Sequence, residues 1–374
     1  ARLDLVRNQW RRYLRPLTLP GIAIPSEDPN NTTFDVNGVN IEENGSRTPF
    51  NYVLPPGVQR EQVIGSVTNA QQNEQSQSLR VCNLLDGDAR GIYKIVNLDM
   101  RVYERLKMFV HAEDIASEIP NDPGDVTLFV RLGSDFESNY YEYEIPLTMS
   151  QEINGTSVPE NVWLSDNDVD FPLNILRNLK TERELNGISL SDIYESNDPE
   201  KPNNRIKIIG NPTLGQVKSV MIGVRNKKDD GLPRCTEVWV NELRLTGFDE
   251  RGGFAGLARL DVQLADLGQF TASGSFQSIG FGSIDQKVGD RAREQLITYD
   301  LSGNFKIDKL FPEKWGLNIP FYAQYSQEIS TPEFDPYQLD VPLTDRLNSI
   351  PDLNMRDSVR QAARTIRTIS SFNF

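Results

Sequence analysis

The stretch Ile297-Thr298-Tyr299-Asp300-Leu301-Ser302-Gly303-Asn304-Phe305-Lys306-Ile307-Asp308 alternates without a break between a mostly apolar set and a hydrophilic one. A strand sends successive side chains to opposite faces, so the segment has one greasy face and one wet face. The pattern recurs in Trp315–Ser326, where Trp315, Leu317, Ile319, Phe321, Ala323 and Tyr325 form the apolar set. Upstream, Ala258, Leu260, Val262 and Leu264 alternate with Arg259, Asp261 and Gln263, and Phe270, Ala272, Gly274 and Phe276 alternate with Thr271, Ser273, Ser275 and Gln277. A tilted transmembrane strand needs about 9–11 residues, whereas ordinary strands average about 5–6. The reading is four amphipathic membrane strands in two hairpins. Leu260, Val262, Leu264, Phe270, Phe276, Tyr299, Leu301, Phe305, Ile307, Trp315, Leu317, Ile319 and Phe321 are expected to face lipid. Arg259, Asp261, Gln263, Asp300, Asn304 and Asp308 are expected to face a hydrated lumen. A soluble meander with one buried face alternates too. Length, and the placement of Trp315, Phe321, Tyr322 and Tyr325 near strand ends where aromatic girdles lie, favour the membrane.

Four such strands cannot span alone. Inside a bilayer every backbone N–H and C=O needs a partner, so a sheet must close, and the smallest outer-membrane barrels have about 8 strands. The chain is therefore read as one panel of a larger barrel. Its start, Ala1-Arg2-Leu3-Asp4, is not a signal peptide, and the closing Phe372-Asn373-Phe374 reads as the start of a further strand, so an internal piece of a longer protein is expected. Barrels of this kind have short periplasmic turns and longer outer loops. Turns at Ala265–Gly268 and Lys309–Lys314 then lie in the periplasm, and the link Gly280–Gln295 lies outside. The first strand starts outside, which places whatever precedes it on the extracellular side.

What precedes it reads as all-β. Residues 1–75 form an extended, loop-rich segment with a basic cluster (Arg7, Arg11, Arg12, Arg15) around Trp10 and a Gln71–Gln77 tract of disordered or extended character. Residues 76–250 carry short strands at Leu79–Leu85, Gly91–Leu98, Glu104–Glu113, Val126–Gly133, Tyr140–Leu147, Arg205–Ile209, Val217–Arg225 and Thr236–Thr246, with one helix at Asn174–Leu185. Strands at this spacing predict a jelly-roll-like β-sandwich. Residues 251–330 hold the membrane strands, and 331–374 a proline-rich loop, a short helix near Asp357–Ile369 and the further strand.

Composition narrows function. The chain has 39 basic and 53 acidic residues, a formal charge of −14, and no basic stripe for nucleic acid. No apolar run reaches the length of a membrane helix, which leaves barrels untouched. Walker, HExxH, CxxC and nucleophile-elbow motifs are absent from the sequence. His111 is the sole histidine, and its apolar surroundings predict a satisfied core or edge residue. Asp166-Asn167-Asp168-Val169-Asp170 opens like a calcium loop but lacks the sixth-position glycine and has Arg177 at the twelfth, so an EF-hand is rejected and an irregular calcium site is the remaining alternative to a solvated acidic loop. Tyr140, Tyr141 and Tyr143 with Phe136 are candidates for a glycan-binding aromatic platform, against a packing role. Cys82 and Cys235 either form one disulfide or remain two buried thiols. No cofactor or catalytic residue is expected.

Five strings carry a resemblance: Asn40-Ile41-Glu42-Glu43-Asn44-Gly45, Arg47-Thr48-Pro49, Asn51–Val58, Gln72–Ser76 and Glu237-Val238-Trp239-Val240-Asn241-Glu242-Leu243-Arg244-Leu245. The chain resembles the SprA/Sov family, the outer-membrane translocons of the type 9 secretion system, over nearly its whole length. The resemblance implies a protein-conducting pore in secretion and gliding motility. It implies as partners the remaining segments of the same barrel, a PorV-type cargo shuttle, a plug protein, the secreted cargo and outer-membrane lipid. It brings no catalytic motif. The rival class is a secreted carbohydrate-binding jelly-roll module using Tyr140, Tyr141 and Tyr143.

Overall fold

Among the residues that the computed structural model describes (10–13, 16–17, 31–60, 71–115, 118–151, 157–286 and 291–374), regular structure is mostly strand. Arg7 and Arg15 of the basic cluster lie outside them. The chain divides into two units, Ala1–Phe248 and Asp249–Phe374. The first holds β1 (Arg11–Arg12), β2 (Thr33–Asn40), β3 (Gln75–Leu84), β4 (Ala89–Leu98), β5 (Tyr103–Asp114), β6 (Val126–Gly133), β7 (Tyr140–Pro146), β8 (Val169–Pro172), β9 (Tyr194–Asn197), β10 (Arg205–Ile209), β11 (Val217–Asn226) and β12 (Arg234–Phe248), with helices α1 (Pro159–Val162) and α2 (Asn174–Leu185). The second holds β13 (Ala255–Leu264), β14 (Gly268–Gln277), β15 (Glu294–Lys306), β16 (Pro320–Pro332) and β17 (Thr365–Asn373), with α3 (Leu343–Ser349) and α4 (Leu353–Ala363).

Unit 1 is built from two antiparallel sheets, ordered β1-β4-β11-β6-β7-β10-β9 and β2-β3-β12-β5-β8. They share one apolar core. Leu79, Val81, Val110 and Val238 come from one sheet, and Ile92, Leu128, Val130 and Val224 from the other, all fully or almost fully buried. Helix α2 adds Ile175, Leu176 and Leu179 to that core. It ends in a Schellman cap: Gly187 sits at φ +65, its N–H donates to Glu184 O at 3.0 Å, and Ile188 N–H donates to Arg183 O at 3.2 Å.

The outer faces of both sheets are covered too. On one, the N-terminal segment extends β4, with Tyr13 N–H donating to Gly91 O and Leu17 N–H to Ala89 O, and Leu17 packs on Ala89, Phe129 and Met221. Beside it lies a charge cluster: Glu142 meets Arg131 at 2.6 Å, Arg225 at 2.9 Å and Lys207 at 3.3 Å. Burial alone would push the Glu142 carboxyl up, but the three cations hold it well below the ordinary range.

On the other sheet the cover is residues 40–58 together with α1. Phe50 and Tyr52 pack with Val39, Val162, Trp163 and Trp239. Arg47 reaches down to two buried carboxylates, hydrogen-bonding Glu113 through both terminal nitrogens and Glu237 at 3.0 Å. Burial raises the Glu113 carboxyl, yet hydrogen bonds from His111 and Arg47 win and keep it below its usual value. Its depressed folded-state value stabilises the fold above the ordinary carboxylate range, and that contribution disappears as pH falls through it. Replacing Arg47 by Met leaves Glu113 and Glu237 buried without their arginine. The expected cost at neutral pH is about 3 kcal/mol, shrinking as pH falls and Glu113 protonates. Urea unfolding at pH 7 and pH 3.5 reads both numbers, and an equal loss at the two pH values rules out this account.

Candidate membrane-facing sheet

Strands β13 to β17 form an antiparallel meander in chain order. It is not closed into a barrel. β15 and β16 are each 13 residues long, and β13 and β14 each 10. Facing residues in an antiparallel ladder share a side of the sheet, so the register defines the rows. Val262↔Phe270↔Gly303↔Ala323↔Phe372 lie on one side, as do Leu260↔Ala272↔Leu301↔Tyr325 and Gly268↔Phe305↔Phe321. Phe276↔Ile297↔Ile329↔Ile366 continue that side. Asp261↔Thr271↔Ser302↔Gln324, Gln263↔Gln269↔Asn304 and Arg259↔Ser273↔Asp300↔Ser326 lie on the other.

The register thus brings together Leu260, Val262, Leu264, Phe270, Phe276, Tyr299, Leu301, Phe305 and Phe321 on one face, and Arg259, Asp261, Gln263, Asp300 and Asn304 on the opposite one. None of the large apolar side chains in these rows is buried; Leu260 is 57 % exposed and Phe372 63 %. An apolar face of this extent left open to solvent marks a surface that meets something else. Polar groups within it pair locally: Tyr299 hydroxyl donates to Gln327, whose amide donates to Thr368 Oγ1 at 3.1 Å. On the wet face Asp261 accepts from Arg259 at 2.9 Å and from Thr271 at 2.8 Å.

Five expectations fail at the β15–β16 connection. Ile307 and Asp308 lie beyond the end of β15 in a 3-10 turn, and Trp315, Leu317 and Ile319 precede β16. Alternation continues through these residues in sequence, but Gly316 adopts φ +60 and interrupts extended backbone. The Asp308 carboxylate accepts from Ile319 N–H at 3.3 Å, closing the loop. The connection therefore runs from Ile307 to Ile319, longer than the short turn expected at Lys309–Lys314. At the C-terminus the helix stops at Ala363, and the β-branched run Thr365-Ile366-Arg367-Thr368-Ile369 opens β17. Phe372 and Asn373 belong to that strand, which begins at Thr365. Ile369 on the wet side broke the pattern that otherwise signals this fifth strand.

The tyrosine platform is overturned. Tyr140, Tyr141 and Tyr143 are 3 %, 1 % and 1 % exposed, so no ring is presented to a ligand. Tyr143 stacks on Phe171 at 3.9 Å and donates its hydroxyl to Asp198 at 2.6 Å, and Tyr140 lies under the Arg131 guanidinium at 4.2 Å. His111 is a satisfied core residue. Its Nδ1–H donates to Val162 O, an acceptor only, at 2.7 Å, and its Nε2 pairs with the Glu113 carboxylate at 3.3 Å. Ser150 Oγ lies 3.0 Å from the same Nδ1, but a protonated Nδ1 takes no proton from a serine. Cys82 and Cys235 are joined in a disulfide linking β3 to β12.

The strings singled out in the sequence meet in space. The Tyr52 hydroxyl lies 2.9 Å from Ser76 Oγ and accepts from Asn241 at 3.3 Å; Asn241 also donates to Glu74 at 3.0 Å. Trp239 Nε1 donates to Glu237 at 3.0 Å, and Arg47 lies 5.0 Å from the Trp239 ring. A family model described as motility related/secretion protein, SprA_N, matches residues 1–347. The chain belongs to that family. No curated protein matches it.

The acidic loop does not gather into a cation site. Asn167 clamps both backbone groups of Thr148 at 2.8 Å, and Asp170 pairs with Arg105 at 2.8 Å and Lys107 at 3.0 Å. Asp168 is left with one buried carboxylate oxygen unpartnered, and burial pushes its carboxyl up to about 6. For an acid, a raised folded-state value means that ionisation opposes folding above it, so stability rises as pH falls from 6 towards the unfolded value of about 3.9. Asp168→Asn is expected to raise the thermal midpoint at pH 7.5, with the gain fading by about pH 4. A gain independent of pH rules out the ionisation as its source.

Proposed function

We propose that this member of the motility-related and secretion family is a non-enzymatic part of an outer-membrane β-barrel translocon, passing cargo proteins in type 9 secretion and supporting gliding motility. The observation that carries the membrane half is the uncovered apolar side of β13–β17 opposite a hydrophilic side, on strands long enough to cross a bilayer. On this reading lipid covers the apolar rows, and Asp261, Asp300 and Asn304 keep a wide lumen hydrated, so that cargo slides past without sticking. The strand orders β3-β12-β5-β8 and β4-β11-β6-β7, four against four, support reading unit 1 as a jelly roll.

Two features orient the assembly. At one end β13 and β14 are joined by a short turn and β15 and β16 by residues 307–319, whereas at the other β14–β15 and β16–β17 are joined by longer links, the latter with two helices; the end with the longer links is assigned to the cell exterior. The chain enters β13 at the end away from the short turn, which assigns unit 1 to the exterior as well. A disulfide fits an oxidising compartment. Partners on this reading are the remaining barrel strands, a PorV-type shuttle, a plug protein, the cargo and outer-membrane lipid, with no nucleic acid. A glycan module built on Tyr140, Tyr141 and Tyr143 is set aside because those rings are buried.

Single cysteines at Leu301 and Phe305, placed in the whole protein in its native membrane, are expected to react with a bilayer-embedded probe. Cysteines at Asp300 and Asn304 are expected to react with an aqueous maleimide. Aqueous labelling of all four sinks the membrane assignment. An arginine at Leu301 is expected to cost about 2–4 kcal/mol, against under about 1 kcal/mol at Asn304, read by heat or denaturant resistance of the folded barrel on gels.

A further inference from the structure

The core rows of unit 1 change character at one end. Along β2 the core-facing positions run Phe34, Val36, then Gly38; along β3 they run Val81, Leu79, then Gln77 and Gln75; along β12 they run Val238, Val240, then Glu242. Here the sheet also splits. Strand β12 pairs with β3 as far as Val240↔Gln77, while its pairing with β5 goes on to Phe248 past a bulge between Asn241 and Arg244. The bulge sets Glu242 at φ +56, a conformation that a residue with a side chain adopts at a cost. Bulges of this kind re-aim side chains and gather next to binding sites.

The result is a cavity of about 420 Å³, in the range of small-ligand sites. Met108, Ile222 and Val240 make its apolar floor, and Trp10 lies against it as an aromatic wall. Gln75, Gln77 and Glu242 supply a polar rim. Gln77 is held in place: it donates to Asn37 O at 2.6 Å, which leaves its own carbonyl oxygen to accept, while the Asn241 side chain turns away to Tyr52 and Glu74. Gly38 opens the space, since a Cβ there would meet only Gln75 Oε1 at 3.8 Å.

The lining selects a class of ligand. Glu242 already has Arg244 at 3.7 Å, so the site holds no surplus negative charge for a cation. No cation lines it to take an anion. An apolar compound would strip water from the rim amides and carboxylate without replacing their hydrogen bonds. A ring with a C–H face for Trp10 and hydroxyls for the rim satisfies both surfaces. We propose that this cavity, whose lining includes none of the buried tyrosines, binds one or two units of a neutral sugar.

The test is saturation-transfer NMR on the whole chain in a zwitterionic, sugar-free detergent, with the methyl glycosides of glucose, galactose, mannose and N-acetylglucosamine, and lysine amide as the cationic comparison. At least one glycoside is expected to receive saturation at its ring C–H protons. Gly38→Leu, which fills the cavity, and Trp10→Ala are each expected to weaken binding by about tenfold or more. Gln75→Ala, on an exposed rim position, is expected to weaken binding severalfold with an unchanged thermal midpoint, which separates lost binding from lost folding. The proposal is overturned if no glycoside shows transfer, if transfer survives both Gly38→Leu and Gln75→Ala, or if lysine amide competes with the glycoside.

Discussion

Register organises both halves of this chain. Side chains alternate with a period of two, so a slip of one residue in an antiparallel pair exchanges the two faces of a strand. Between β14 and β15 the pairing Phe270↔Gly303 and Ala272↔Leu301 keeps large residues opposite small ones on the apolar side. A one-residue slip in one direction would set Phe270 opposite Asn304 and Phe276 opposite Thr298. The sheet would then have two mixed faces, neither suited to lipid nor to water.

In unit 1 the same period has a different outcome, because both faces of both sheets are covered. The inner faces meet in an apolar core, and the outer faces carry charge clusters beneath a wrapped segment. Such buried ion pairs add little net stability, since desolvation offsets most of the attraction. Their geometry nonetheless makes a wrong register costly. Glu142 sits on the outer side of β7 between Arg131 and Lys207, while its neighbours Tyr141 and Tyr143 face the core. A slip of β7 would turn Glu142 into an apolar interior with no cation to meet it. Arg47 ties the covering segment to Glu113 and Glu237 in the same way, so the cover and the sheet specify each other.

How much of this was legible in the sequence follows from how local each signal is. Val126–Gly133, Arg205–Ile209 and Asn174–Leu185 end where turn residues and apolar spacing place their ends. The two face sets of β13–β15 were readable because alternation there is unbroken by glycine in the left-handed region. At Trp315–Ile319 alternation persists, but a turn at Gly316 overrides it, and no pattern of apolar residues reports a backbone angle. β2 escaped notice because Thr33–Asn40 is polar and lies at a sheet edge, where half its backbone has no strand to pair with. The tyrosines misled for a related reason. An aromatic row reads the same whether its rings face solvent or a second layer, and only the tertiary fold decides between them. The sugar cavity was invisible in sequence, because it arises where two strands distant in sequence part company.

The apolar side and the outer edges of the β13–β17 sheet ask for different partners. Strands β13 and β17 each present one edge of unpaired N–H and C=O groups, which only further strands can satisfy in hydrocarbon. The apolar rows need a partner that tolerates an uneven surface. Gly268, Ala272, Gly274, Gly303 and Ala323 alternate with larger residues on that side, and the Phe305 ring lies over Gly303. A second protein sheet would have to match this uneven surface side chain by side chain or leave voids, and a void in a packed interface costs about 1 kcal/mol or more for each missing methyl group. On the proposed function, fluid lipid chains would conform to the same surface without such matching.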